Sequence, residues 1–470
     1  MPNAEAPSTE TSTPTSSSSH SRMRSIPTEK ASSSSVRTSR SSTKQSSHDR
    51  PSSSTSRPKT ATSSRSHRED PRLATQQRYV ANPHLFQMTR SVMISPTMMH
   101  WSRAPVSGML PTRHLRAHSM TLVDSTIWIF GGSDESDSRD DVYTLDTETF
   151  VWGKPKPTGD QPPPSRAHTA TLVQNRYIFI VGGGQDFVYY DTVHIFDTVT
   201  HKWTNPDIQG EKPIARRAHT ACLHKGRLVI FGGTFPLVLC QEPAPISLGG
   251  NGNIALNDVW SMDVTVPFDR LRWEQIKPRA GSALPRPRGY HTSNLVGNVM
   301  VIIGGSDGRD CYDDIWVMDL DTGLWKEVCT EEKYQIMFHS STQVGSYLFI
   351  LGGHSGQSFL PTLIFFNLSS QPFLNTNQSR SNAFIVTLQF ETRQSAGRMF
   401  PARGYHSAVL ADSRLVVTGG FDGETVFEDV SILDLAAMAY LPQVTRFGII
   451  INELGVYVED EGAEYAGRVR

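Results

Sequence analysis

Six histidines recur with a period near fifty residues, and this is the first pattern in the chain that could carry chemistry. Imidazole ligates zinc and serves as a general acid or base, so a repeated histidine invites a metal or catalytic interpretation. A metal site needs ligands that converge on one point, whereas residues placed once per repeat are spread through the fold. We therefore predict a structural role for His118, His168, His219, His291, His339 and His406.

Carboxylates and thiols are the other groups that could react. Acids also recur once per repeat, directly before an apolar pair, and are predicted to be structural: Asp141, Asp258, Asp314 and Asp429. The cysteines contain no C-x-x-C pair, so neither a zinc cluster nor a redox pair is predicted: Cys222, Cys240, Cys311 and Cys329. The sequence thus predicts no catalytic residue, no metal and no cofactor.

Each histidine is followed by two short apolar segments and a pair of glycines. The first glycine comes 13 residues after the histidine in five copies and 14 residues after it in the second. Short runs rich in β-branched residues predict buried strands. The glycines predict a backbone conformation or a close approach that a Cβ would block. The pairs are Gly131-Gly132, Gly182-Gly183, Gly232-Gly233, Gly304-Gly305, Gly352-Gly353 and Gly419-Gly420.

Beyond the glycines, the acidic residue opens a third predicted strand and a tryptophan marks a fourth. A Pro-rich link with arginine, such as 162–168, then leads to the next histidine. Four strands per unit, repeated at a fixed period, predict a β-propeller. The fourth-strand tryptophans are Trp152, Trp203, Trp273 and Trp325, and copies five and six have none downstream.

The Gly-Gly pairs, the spaced Trp and the links ending in Arg-x-His or Arg-x-x-His resemble kelch repeats over residues 96–435. The resemblance implies a propeller fold and a binding role, although some kelch-type propellers are copper-radical oxidases. That chemistry requires His and Tyr ligands beside a thioether-forming cysteine, and none of the four cysteines has such neighbours. The Ser-rich segment before the repeats is also similar to fungal kelch polarity proteins.

The missing sixth tryptophan has a candidate upstream of the first histidine. Residues 101–116 start with Trp101 and match the end of a repeat, as in 203–217. We therefore predict an all-β, six-bladed propeller in which an N-terminal strand completes the last blade and removes the open sheet edge. The predicted units are a tail (1–92), the propeller (93–440, repeats starting near 116, 166, 217, 288, 337 and 403) and an extension (441–470).

The N-terminal tail differs from the rest in composition. Residues 1–70 contain 24 serines, 11 Lys or Arg and 6 Asp or Glu, a net charge of +5. Such a segment buries too little apolar surface to order itself, so we expect disorder. Ser25, which follows Arg22 and Arg24 and precedes Pro27, resembles a phosphorylation site read by 14-3-3 adaptors. The dispersed charge without interleaved aromatics does not favour nucleic-acid binding.

Function on a repeat scaffold is expected in its non-repeating loops. Aromatic and arginine residues after the Gly-Gly pairs have the composition of interaction hot spots. The candidate partner-binding residues are Arg139, Phe187, Tyr189, Tyr190, Phe235, Arg309, Tyr312, Phe359 and Phe421.

The sequence therefore predicts a non-catalytic interaction scaffold. The family resemblance suggests cell polarity, the cytoskeleton or small-GTPase signalling as contexts. Two alternatives stay open: a substrate-recognition subunit of a ubiquitin ligase, and an oxidase-like enzyme. Because no signal peptide or membrane span is recognisable, we expect a cytoplasmic protein, with the cytoskeleton or cell cortex as narrower locations.

Overall fold

The computed structural model describes residues 98–112, 114–236, 253–369, 388–435, 447–452 and 455–460. It confirms the predicted fold class: six antiparallel four-stranded blades form a propeller, and an N-terminal strand completes the sixth blade. The predicted disordered tail and Ser25 lie outside the described residues, and the predicted unit boundaries stay predictions.

The first strand of every blade lines the axis, and the later strands follow outward. Blade 1 consists of Ser119–Val123, Thr126–Phe130, Val142–Asp146 and Val151–Gly153. Blade 2 consists of Thr169–Val173, Tyr177–Val181, Val193–Asp197 and Lys202–Thr204. Blade 3 consists of Thr220–His224, Arg227–Pro236, Asn253–Asp263 and Trp273–Ile276, with a short helical turn at Phe268–Arg270.

The remaining blades follow the same plan. Blade 4 consists of Thr292–Val296, Val299–Ile303, Ile315–Asp319 and Trp325–Val328. Blade 5 consists of Ser340–Val344, Tyr347–Leu351, Leu363–Asn367 and Phe390–Thr392. Blade 6 consists of Ser407–Ala411, Arg414–Thr418, Val430–Asp434 and, from the other end of the chain, His100–Arg103. Short parallel strands extend three blades: Ser107–Gly108 in blade 1, Thr158–Gly159 in blade 2 and Ala396–Gly397 in blade 6.

The continuous apolar runs of the second strands are explained by packing on both sheet faces. Between blades 1 and 2, for example, Trp128 and Phe130 pack with Phe196 and Trp203. The fourth-strand tryptophans are buried in such clusters: Trp101, Trp152, Trp203, Trp273 and Trp325. Each blade therefore depends on its neighbours to bury its apolar surface.

The Gly-Gly pairs mark the points where adjacent blades interlock. In all six pairs the first glycine has φ between 59° and 67° and the second between 87° and 101°. A Cβ on Gly182 would lie 2.6 Å from the carbonyl oxygen of Arg216 in the next link, and one on Gly183 would lie 2.7 Å from Cβ of His168. The second glycine also donates its N–H to that link, as Gly183 does to Arg216 at 2.8 Å. Both the conformation and the space therefore require glycine.

Five of the repeat histidines join neighbouring first strands through their side chains. Nε2 of each lies 2.8–3.0 Å from a Ser or Thr hydroxyl of the preceding blade. The pairs are His168–Ser119, His219–Thr169, His291–Thr220, His339–Thr292 and His406–Ser340. The geometry is that of inter-blade cross-links.

The closing seam between blades 6 and 1 differs in one bond. There the hydroxyl of Ser407 donates to the carbonyl oxygen of His118 at 2.7 Å instead of pairing with its imidazole. The backbone interlock is nevertheless kept, since Gly420 donates to Leu115 at 2.9 Å. Trp101, on the strand that closes the ring, is 3% exposed and stacks on Phe400.

The sequence left two features open. Blade 5 has a fourth strand without tryptophan, in which Phe390 takes the buried position. The C-terminal extension contains a hairpin, Phe447–Ile451 with Val456–Asp460, whose Ile449 and Ile451 pack into the apolar cluster between blades 4 and 5.

We predict that Trp101→Ala lowers the free energy of unfolding by about 3–5 kcal/mol, because it removes the buried aromatic that anchors ring closure. Chemical denaturation of the full chain measures this loss. Ser102→Ala, at the exposed neighbouring position, is the control and should change stability by less than about 0.5 kcal/mol. A loss below about 1 kcal/mol for Trp101→Ala would contradict the closure.

The buried histidines predict acid sensitivity. Burial lowers the pKa of His118 to about 4 and the pKa of His168, His219, His339 and His406 to about 3. The unfolded chain therefore binds more protons below about pH 6.5, so stability falls as the pH drops from there towards 4. His219→Gln should reduce the slope of unfolding free energy against pH by about 1.4 kcal/mol per unit. Denaturation at several pH values measures the slope.

Thr169→Val provides the control, because it removes the hydroxyl 3.0 Å from Nε2 of His219 and leaves the buried imidazole in place. It should leave that slope close to the wild-type value. An unchanged slope in His219→Gln would refute the link between the buried imidazoles and acid sensitivity.

Candidate functional site

One end of the ring carries both the variable loops and the mouth of the axial channel. In every blade, the residue two before the histidine pairs with the residue after the Gly-Gly pair, as Arg116 does with Ser133. The six loops between second and third strands therefore lie at the same end as the six links. We call this end the Gly-Gly face, defined by those loops and links.

A closed ring of backbone hydrogen bonds surrounds the channel at the Gly-Gly face. The residue before each histidine donates its N–H to the equivalent carbonyl of the preceding blade, over 2.7–3.1 Å. All six residues have positive φ, between 53° and 59°. In chain order they are Ala117, Ala167, Ala218, Tyr290, Phe338 and Tyr405. The ring fixes the positions from which the neighbouring side chains project.

The ring has two chemically different halves. Blades 1 to 3 contribute alanines, while blades 4 to 6 contribute Tyr290, Phe338 and Tyr405, whose rings contact one another. Phe338 and Tyr405 stack with centroids 4.0 Å apart. Together with the repeat histidines, the six residues line a cavity of about 130 Å³. The mouth is therefore aromatic on one side and open on the other.

Three of the predicted partner-binding residues are interior. Tyr312 is 1% exposed, and Tyr189 and Phe235 pack with Ile254 beside the long hairpin of blade 3. Tyr189 also donates its hydroxyl to Asn253. A partner would not reach these three side chains in this conformation, so the direct contact predicted for them is corrected to a packing role.

The other predicted residues lie on the Gly-Gly face to different degrees. Phe187, at the tip of a small hairpin (Gly184–Gln185 with Val188–Tyr189), is 79% exposed, and Arg309 is also exposed. Arg139 forms an ion pair with Asp134. Tyr190, Phe359 and Phe421 are partly buried. Among the predicted residues, Phe187 and Arg309 are thus the most accessible to a partner.

Arginines next to the histidines fall into two classes, separated by one position. The arginine three residues before the histidine is buried. It donates hydrogen bonds to an aspartate and to a glycine carbonyl of the same blade. Arg288, for example, contacts Asp314 at 2.7 Å and the carbonyl of Gly304 at 2.9 Å. Burial alone would raise the pKa of Asp314, but the hydrogen bonds and charge of Arg288 lower it. The three pairs are Arg216–Asp258, Arg288–Asp314 and Arg403–Asp429.

Two residues before the histidine, the arginine belongs to the channel mouth. The sequence analysis did not separate this class, which consists of Arg116, Arg166 and Arg217, from the buried arginines. None of the three forms an ion pair with a carboxylate in the described part of the chain. The signal that could have found them is the single-residue offset from the histidine.

The groups with possible metal or redox chemistry are dispersed. Over the described ranges, no group of three or more His, Cys, Asp or Glu side chains has an arrangement that could hold a metal ion. Burial raises the pKa of the Cys222 thiol to about 12 and of the Cys311 thiol to about 11, which disfavours the reactive thiolates. Among the same residues, no helix is long and apolar enough to cross a membrane.

Comparison with known proteins agrees with this architecture. Residues 75–233 and 246–382 match the model of the KLHDC2/KLHL20/DRC7 kelch-repeats domain. The chain belongs to the kelch-repeat family. Membership accounts for the recurrent histidine, Gly-Gly and tryptophan positions.

Individual relatives are more distant. The chain is 25% identical over 354 residues to host cell factor 2 of Homo sapiens, a match covering 70% of this chain and 42% of the relative. It is 30% identical over 136 residues to the Rab9 effector protein with kelch motifs of Bos taurus, covering 28% of this chain and 37% of the relative. The Chlamydomonas reinhardtii dynein alpha chain of the flagellar outer arm is 26% identical over 224 residues, 44% of this chain and 5% of the relative. The chain thus spans less than half the length of each.

The two classes of arginine predict different costs of removal. Arg288→Ala leaves Asp314 partly buried without its counter-charge and should lower the free energy of unfolding by about 3–5 kcal/mol. Arg166→Ala removes no ion pair and should change it by less than about 1 kcal/mol. Equilibrium denaturation of both variants measures the difference. Equal losses would show that the two positions share one structural role.

Proposed function

We propose that the chain is a non-catalytic scaffold that binds protein partners through the Gly-Gly face. The observation that carries the proposal is the composition of that face: an exposed Phe187 and Val188 stand beside arginines and an aromatic channel mouth. Exposed aromatic and arginine side chains on a rigid framework are typical of interaction hot spots. The predicted cytoplasmic location is kept as part of the proposal.

The cellular context is a finer proposal. Small-GTPase signalling has support in the relatives named Rab9 effector protein with kelch motifs, which match 28% of this chain. Cell polarity, the cytoskeleton and substrate recognition for a ubiquitin ligase stay as predictions from the resemblance alone. Fold likeness restricts the partner class only weakly, because unrelated functions share propeller folds.

A pair of substitutions in blade 2 tests which face binds. Phe187 lies on the Gly-Gly face, whereas Val199, 70% exposed, lies in the turn between the third and fourth strands at the opposite end. We expect Phe187→Ala in the full chain to lose at least about tenfold of partner recovery, since an exposed aromatic anchor contributes about 1–3 kcal/mol. Crosslinked capture from native lysate with quantitative mass spectrometry measures recovery.

Val199→Ala is the matched control and should retain the same partners. The reverse pattern, with recovery lost in Val199→Ala and kept in Phe187→Ala, would move the interaction to the opposite face. Thermal denaturation of both variants checks that the fold is unchanged.

A further inference from the structure

Three arginines project from adjacent points at the channel mouth without an ion-pair partner among the described residues. Arg116, Arg166 and Arg217 immediately precede Ala117, Ala167 and Ala218, which the backbone ring joins over 2.9 and 2.7 Å. The guanidinium of Arg116 lies 4.4 Å from the centre of the Phe421 ring, and that of Arg217 lies 4.4 Å from the centre of the Tyr189 ring. Aromatic contacts thus orient the two outer arginines while the middle one lies between them.

The charges at this mouth act on one another. Burial lowers the pKa of Arg166, and repulsion from Arg217 and Arg116 lowers it further. Asp186 is exposed and forms no ion pair with the three arginines in the described part of the chain; Arg217 contacts only the backbone carbonyl of Asp186, at 3.4 Å. Within the described chain, the positive charge of the three guanidiniums is therefore not neutralised.

In the other half of the mouth, two of the three equivalent positions are glycines at which even a Cβ would be crowded. Blades 4 to 6 have Gly289, Met337 and Gly404 where blades 1 to 3 have arginine. A Cβ on Gly289 would lie 2.8 Å from the Thr234 side chain, and one on Gly404 would lie 3.0 Å from Cβ of Phe338. The positive charge is therefore confined to one side, facing Tyr290 and Tyr405.

The charges of all three arginines act on Tyr405 across the cavity. Burial raises the pKa of the Tyr405 hydroxyl, and the charges of Arg116, Arg217 and Arg166 each oppose that rise. An anion placed in the mouth would lie within the field of three guanidiniums and next to tyrosine hydroxyls that can donate hydrogen bonds.

We propose that Arg116, Arg166 and Arg217 bind the phosphate group of a phosphorylated peptide segment in a protein partner. The inference rests on the proposed function, because it names the chemistry of the partner at the same face. A phosphomonoester carries nearly two negative charges and three terminal oxygens, so one side chain can engage three guanidiniums. A carboxylate, with one charge and two oxygens, would leave much of the repulsion in place. Phe187 and Val188 provide an apolar contact for the flanking residues.

The test uses the full chain and three immobilised degenerate peptide pools. The pools are identical except for a central phosphoserine, glutamate or serine. We expect the phosphoserine pool to retain at least about tenfold more protein than the other two, because the phosphate forms charge-assisted hydrogen bonds with the guanidiniums. Inorganic phosphate should compete for retention, and added salt should weaken it.

Arg166→Gln should reduce retention on the phosphoserine pool by at least about tenfold. Arg166→Lys, which keeps the charge but loses the planar fork, should retain an intermediate amount. The matched control is Arg270→Gln, which removes an exposed arginine from the turn between the third and fourth strands of blade 3, at the opposite end of the ring, and should bind as the wild type does. Thermal denaturation confirms that each variant is folded.

Three outcomes would overturn the proposal: equal retention on the glutamate and phosphoserine pools, equal retention by Arg166→Gln and wild type, or no retention on any pool. Each is distinguishable from failure of the proposed function, which depends on loss of partners in Phe187→Ala. If partners are lost in Phe187→Ala and kept in Arg166→Gln, the scaffold function is supported and the phosphate site is rejected.

Discussion

The contact on which the rest of the structure depends is the interlock between each Gly-Gly pair and the link entering the next blade. The second glycine donates its N–H to a link carbonyl over 2.8–2.9 Å at all six seams, including the closing one. Glycine is required because the next link and the repeat histidine occupy the space of a Cβ. A single blade buries little apolar surface, so these bonds set the register in which neighbouring blades bury theirs.

The interlock separates the positions that hold the ring from those that can vary. The repeated histidine, glycine and tryptophan residues join neighbouring blades. The arginine three residues before the histidine instead stabilises its own blade by pairing with an aspartate, as Arg403 does with Asp429. The arginine two residues before the histidine has neither of these roles, since Arg166 makes no ion pair in the described chain. A repeat protein can place binding residues at positions that its fold does not need for stability.

The sequence was most informative where a feature recurs. The period predicted the four-stranded units, the seams and, through Trp101, the closing strand. The repeat pattern did not identify the fourth strand of blade 5. That strand follows a long insertion and has Phe390 instead of the tryptophan that marks the other fourth strands. The pattern also failed for single loop residues: Phe187 and Tyr312 look alike in sequence, but one is 79% exposed and the other 1% exposed. Burial in a loop depends on distant residues, which local patterns do not encode.

The role of the link arginines was also hard to predict, because it changes with a shift of one position in the sequence. The sequence analysis grouped links ending in Arg-x-His with those ending in Arg-x-x-His, and a shift of one position reverses the direction of a side chain in extended backbone. One direction leads to a buried aspartate and the other to the channel mouth. The backbone ring fixes the points from which these like charges project. Such a framework is preorganised for an anion. Binding relieves the repulsion between the arginine charges, and few side chains have to be ordered on binding.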